Sequence, residues 1–83
     1  IRIDSMVRDV VELLVRRLVS QPDQAYVEEQ DSGQNIHIQV RVDASDRGKI
    51  IGRRGRVINA IRSVAGVAAV KAGQRVTIDV PDD

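Results

Sequence analysis

Two glycines three positions apart, Gly52 and Gly55, enclose two arginines in the stretch of this chain best suited to hold an anion. Neither glycine carries a Cβ, so the backbone can turn tightly there and come close to a ligand. A helix that begins just downstream would add the partial positive charge of its N-terminal amides. Apolar residues on both sides of the loop offer a surface for bases. The pattern therefore predicts a clamp for the backbone of a single-stranded nucleic acid.

Basic residues are concentrated around this loop, although the chain as a whole is nearly neutral. It has 13 basic and 12 acidic residues, yet the segment 47–62 has six basic residues and no acidic one. The six are Arg47, Lys49, Arg53, Arg54, Arg56 and Arg62. Such a segment indicates a surface for a polyanion, because the field of these charges acts locally. A solvated helix with scattered arginines is the alternative, and the glycine pair argues against it.

Composition restricts how such a surface could work. At 83 residues the chain is one small domain, and without cysteine it has no disulfide or thiolate chemistry. Tyr26 is its only aromatic residue, which excludes the aromatic platforms on which several nucleic-acid-binding folds stack bases. Its apolar stretches are far shorter than the ~20 residues that span a membrane. Any nucleic acid must be bound by backbone clamping and aliphatic contacts.

The first half of the chain predicts a helix followed by a hairpin. Asp4 and Ser5 can cap a helix of about four turns that ends before Pro22. Its expected apolar face is Val7, Val10, Val11, Leu14 and Leu18. A weak strand at 25–29 and a clear alternating strand at 36–42 follow, with turn residues between them. In the second strand the alternation favours a core position for Ile38 and Val40.

The second half predicts two helices and a last strand. A short helix capped by the segment 44–46 should end at Gly52, and a longer one should start at Gly55. Its expected inward residues are Val57, Ile58, Ile61, Val64, Ala65, Ala68 and Ala69. Gly66 costs about 1 kcal/mol inside a helix, so it suggests a close packing contact. Gly73 fits the end of the helix, and the segment 75–80 alternates as a strand. The order α-β-β-α-α-β predicts an α+β fold, a three-stranded mixed sheet with three helices packed on one face.

The loop and its flanks resemble the motif of KH domains, in which two apolar residues precede GXXG and an apolar helix face follows. The element order resembles the type II variant, and the segment 6–80 resembles the small bacterial single-domain proteins of the KhpA (YlqC-like) family. The resemblance implies a cytoplasmic RNA-binding regulator or RNA chaperone linked to cell division and cell shape. It also implies a homodimer, or a heterodimer with a KhpB (Jag-like) KH protein. No metal or other cofactor is implied.

Carried over by position, the resemblance assigns a role to nine residues. Gly52 and Gly55 would contact the sugar-phosphate backbone, and the enclosed Arg53 and Arg54 would pair with phosphates. The remaining five divide between charge and apolar contact: Lys49 and Arg56 stand one step outside the loop, and Ile51, Val57 and Ile58 form an apolar floor under the bases. Loops of this type clamp about four nucleotides. Gln39 and Arg41 are further candidates for the opposite rim of the groove.

Other functions are less consistent with the sequence. His37 is the only histidine and alternates with apolar residues, so an ordinary solvated strand histidine is expected and enzyme activity is not. The glycine spacing matches neither a P-loop nor a dinucleotide fingerprint, which argues against a small-molecule substrate. A dimerising protein-interaction adaptor stays open, because Val64, Val67 and Val70 make the second long helix apolar over more than one face.

The ends of the chain leave the domain boundaries open. Met6 is a candidate native start, with residues 1–5 as an N-terminal extension, 6–80 as the KH domain and 81–83 as a short acidic tail. One KH unit of a larger RNA-binding protein is the remaining alternative.

Overall fold

The computed structural model describes residues 6–81, so the expected caps Asp4 and Ser5 lie outside the described residues. Within this range the chain forms three α-helices and three strands in the predicted order, α-β-β-α-α-β. They are α1 (Met6–Leu18), β1 (Tyr26–Asp31), β2 (Asn35–Arg41), α2 (Arg47–Ile51), α3 (Arg56–Lys71) and β3 (Arg75–Asp79). Short 3₁₀ turns at Pro22–Gln24, Ala44–Asp46 and Arg53–Gly55 join some of them. The predicted α+β fold is confirmed.

The strands form one mixed sheet in the order β1-β2-β3. β1 and β2 pair antiparallel, with Val27 opposite Val40, and β2 and β3 pair parallel, with Ile38 opposite Ile78. Ile38, Val40 and Ile78 are buried on the face that the helices cover. The core position expected for Ile38 and Val40 is therefore confirmed.

The buried face of α1 differs from the predicted one at its C-terminal end. Val7, Val11 and Val15 are buried, whereas Leu18 is exposed. These three residues are four positions apart, so they form one row along the side of α1 that packs on the core. Leu14 is only half-buried, because it lies beside this row and not in it.

The core face of α3 is likewise narrower than predicted. Ile58, Ile61, Ala65 and Ala69 are buried, whereas Val64 is exposed, so its predicted inward position is wrong. Helical spacing places Val64 next to the core face, but no described element covers it. The close contact expected at Gly66 is also wrong, because a Cβ there would meet no atom within 4 Å.

A buried carboxylate joins the end of α1 to the start of α2. Asp46 is completely buried and accepts hydrogen bonds from the Ser20 hydroxyl at 2.7 Å, the Ser20 amide at 3.1 Å and the Gln21 amide at 3.1 Å. Lys49 lies 3.4 Å from the same carboxylate. These bonds, led by the one from the Ser20 hydroxyl, lower the pKa of Asp46 from 3.8 to about 2. The carboxylate thus fixes the helix that leads into the glycine loop.

We predict that Asp46→Asn lowers the melting temperature at neutral pH, because the amide cannot accept all of these hydrogen bonds. Since the folded state lowers the pKa of Asp46, its contribution is present above about pH 4 and is lost as the pH falls towards 2. The difference in melting temperature between wild type and variant should shrink over the same interval. Circular-dichroism melts at several pH values measure it. Asp23→Asn, at an exposed carboxylate, is the control. An equal effect of both substitutions would contradict the stabilising role of the Asp46 carboxylate.

Candidate nucleic-acid interface

The glycine loop is a tight turn between α2 and α3, and three of its four residues have positive φ. Gly52 has φ 76° and ψ 171°, Arg54 φ 58° and ψ 27°, and Gly55 φ 74° and ψ 16°. The Gly52 amide donates to Gly48 O at 2.8 Å and the Gly55 amide to Gly52 O at 3.1 Å. The loop is therefore a hydrogen-bonded bend whose shape depends on residues that tolerate left-handed backbone.

The two glycines are required for different reasons. A Cβ on Gly52 would lie 2.8 Å from the backbone nitrogen of Val57, which cannot move without shifting the start of α3. A Cβ on Gly55 would lie 3.7 Å from Asn59 Nδ2 and 3.9 Å from Ile58 Cγ2, which are ordinary contacts. Gly52 combines a positive φ with a close approach to the start of α3, whereas Gly55 provides only the left-handed conformation.

The start of α3 is electropositive. Gly55 stands at its N-cap, so no side chain there accepts from the first amides, and its first turn contains no acidic residue. These amides and the dipole of a 16-residue helix place partial positive charge beside the loop.

The six basic residues of the segment 47–62 have three different environments. Arg47 donates to Val80 O at 2.7 Å and Pro81 O at 3.2 Å, and Arg62 donates to Ile78 O at 2.9 Å. These two side chains therefore bind the end of β3 and its continuation. Lys49 is beside the buried carboxylate that fixes α2.

Arg53, Arg54 and Arg56 are exposed, and within residues 6–81 none of them has a side-chain hydrogen bond or ion pair. The sequence could only count Arg47 and Arg62 in the basic segment, because the carbonyl groups that bind them come from a distant part of the chain. The structure leaves the cations nearest to the glycines available for an anion.

The predicted apolar floor is only partly at the surface. Ile51 and Val57 are half-buried beside the loop, whereas Ile58 is 5% exposed and belongs to the core. Gln39 and Arg41 lie on the sheet face away from the helices, where Arg41 pairs with Glu28. The loop and the rim candidates are therefore on different sides of the sheet.

His37, the only histidine of the sequence, lies on the sheet face away from the helices. His37 Nδ1 is 2.9 Å from Thr77 Oγ1, and its Nε2 is 3.4 Å from Asp79 Oδ2, on the solvent side of the sheet. Residues 6–81 contain no group of three or more acidic, histidine or cysteine side chains that could hold a metal ion. In the same range no helix has the length and hydropathy of a membrane span.

Comparison with known proteins gives one consistent result. The sequence-family model of the KhpA/KhpB KH domain matches residues 8–80 of this chain. A protein of Halalkalibacterium halodurans named RNA-binding protein KhpA is 41% identical over 75 residues, which cover 90% of this chain and 99% of that protein. Proteins of the same name from Aquifex aeolicus and Bacillus subtilis are 34% and 33% identical, over 92% and 95% of this chain and 96% and 98% of theirs.

We predict that Gly52→Ala destabilises the fold more than Gly55→Ala. The second substitution should cost about 1–2 kcal/mol for left-handed backbone alone. The first adds overlap with the Val57 backbone and should cost more. Urea unfolding of both variants gives the two free energies. Equal values would show that α3 moves freely away from α2, and Gly66→Ala, in open space inside a helix, is a control that should not destabilise.

Proposed function

The chain belongs to the KhpA/KhpB family of KH domains, and from this membership we propose that it is a single-stranded RNA-binding protein. Its glycine loop clamps the RNA backbone, and its aliphatic surface accepts the bases. The segment 6–80 is the binding domain in this proposal. The observation that carries it is the set of three exposed arginines, free of partners among residues 6–81, at a loop with positive φ in front of an uncapped helix.

Each predicted site residue has a place in the proposal. The Gly52 and Gly55 backbones approach the sugar-phosphate chain, and Arg53 and Arg54 bind phosphates. Lys49 and Arg56 stand one step outside the loop. Ile51 and Val57 form the accessible apolar floor under the bases, and Ile58 supports this floor from the core. Because the chain has a single aromatic residue, Tyr26, phosphate contacts should dominate the affinity, and binding should weaken steeply as salt rises.

A wider cellular role is the next part of the proposal, and the family membership is consistent with it. We propose a cytoplasmic RNA chaperone or post-transcriptional regulator, acting in processes that determine cell shape. It would act by binding alone, without a metal, another cofactor, a small-molecule substrate or an enzymatic step.

Self-association is a second part of the proposal, and one surface favours it. Val64, Val67 and Val70 on α3 are 48%, 63% and 75% exposed, which makes an apolar stripe along the outside of the helix. Covering such a stripe removes apolar area from water. We propose that this stripe, with Val67 and Val70 as its most exposed members and Val64 at its edge towards α1, joins two copies of the chain or binds a KhpB-like KH protein.

The RNA-binding proposal predicts that Arg53→Gln with Arg54→Gln abolishes most binding of short single-stranded RNA. In fluorescence-anisotropy titrations at several salt concentrations, the loss of two phosphate contacts should also flatten the log-log salt dependence by about 1.4. The matched control is Lys71→Gln with Arg75→Gln, which removes two charges about 20 Å away at the other end of α3.

A second variant separates binding from folding. Arg54→Gly removes the charge and also the steric cost of an arginine with positive φ, so the protein should remain folded. Its affinity for RNA should nevertheless fall, because a phosphate contact is lost. Unchanged binding by both loop variants, with circular dichroism showing intact folding, would rule out the loop as the site.

The dimer proposal predicts that Val67→Glu with Val70→Glu yields a monomer. Charged side chains on the stripe would be buried without partners in a dimer, which costs far more than their exposure in a monomer. Sedimentation at micromolar concentrations measures the change. A wild-type chain that is already monomeric at tens of micromolar would contradict self-association. Gln24→Glu, at an exposed polar position outside α3, is the control.

A further inference from the structure

An open apolar groove lies between α1 and α3, next to the glycine loop. Its volume is about 360 Å³, and Leu14 and Leu18 of α1 face Val57 and Val64 of α3 across it. Arg17 and Arg56 also line it, and no acidic side chain does. The groove therefore combines an aliphatic floor with cationic edges.

Both arginines of the groove are available for a ligand. Arg17 is exposed in the last turn of α1 and Arg56 at the start of α3, and within residues 6–81 neither has a hydrogen bond or ion pair from its side chain. Arg16 differs, because its Nε lies 3.7 Å from Glu12 Oε2 one turn earlier. Arg17 was not among the residues expected from the sequence, since it lies far from the loop along the chain.

The groove is continuous with the candidate RNA site. Arg56 and Val57 belong both to the loop surface and to the lining of the groove. Arg56 therefore links the cations of the loop with Arg17, and no acidic side chain lines the groove that the two arginines share. A strand that leaves the loop in this direction meets the same kind of surface, with cationic edges and an aliphatic floor.

We propose that this groove holds the RNA nucleotides that follow those in the loop. Arg17 contacts a phosphate, and base faces pack on Leu14 and Leu18. The inference rests on the RNA-binding function proposed above and extends it to a part of the molecule outside the glycine motif. An RNA strand is favoured over a protein segment because the cations of the groove continue those of the loop, as a polymer with regularly spaced anions requires.

The test compares RNA lengths in two single variants. A four-nucleotide RNA fills the loop alone, whereas a ten-nucleotide RNA can reach the groove. Arg17→Gln should weaken binding of the longer RNA about threefold to fivefold and flatten its salt dependence by about 0.7, while the shorter RNA binds as before. Arg16→Gln removes the same charge at the neighbouring position, and we expect it to leave the affinities for both RNA lengths unchanged.

Three results would overturn the inference, and they are distinguishable. If the loop variants lose RNA but Arg17→Gln binds both lengths like wild type, the groove is not on the RNA path and the RNA-binding proposal stands. If Arg17→Gln instead shifts the sedimentation equilibrium with unchanged RNA affinity, the groove is covered by a second copy. If wild type binds neither RNA at low salt, the RNA-binding proposal fails as well.

Discussion

The parallel pairing of β2 with β3 is the constraint on which the candidate site depends. Parallel neighbours cannot be joined by a hairpin, so the chain must leave the sheet, cross over its face and return. α2, the glycine loop and α3 make up this crossover, and the loop is its sharpest bend. Both of its arms are anchored, α2 by the carboxylate of Asp46 and α3 by its apolar residues on the sheet. The loop is thus held from two sides although its own side chains contact little.

Charge is divided between structure and surface in the same crossover. Arg47 and Arg62 bind main-chain carbonyl groups of β3 and its continuation, and Lys49 is beside a buried carboxylate. The remaining cations of the segment stay at the surface around the glycines. A chain with a formal net charge of +1 can therefore present a local field much stronger than its total charge suggests.

Local sequence patterns were sufficient for the element order and for the position of the bend, because these depend on periodicity and on glycine. They were insufficient wherever a partner comes from a remote part of the chain. The role of Asp46 depends on Ser20 and Gln21, and the role of Arg62 depends on a carbonyl group in β3. The errors at Leu18 and Val64 have one cause, since both residues border a groove between α1 and α3 that helical periodicity cannot reveal. The left-handed conformation of Arg54 was also beyond prediction, because arginine rarely adopts it.

The contact of Arg62 with β3 also places a cation at one edge of the sheet. β3 is an edge strand, and an edge strand with free main-chain groups is a template on which another polypeptide can add a strand. The guanidinium of Arg62 donates a hydrogen bond to Ile78 O near the end of this strand. A polypeptide that pairs with this part of β3 would first have to displace that side chain. A residue that at first sight belongs to the basic surface thus occupies a main-chain acceptor at the β3 edge of the sheet.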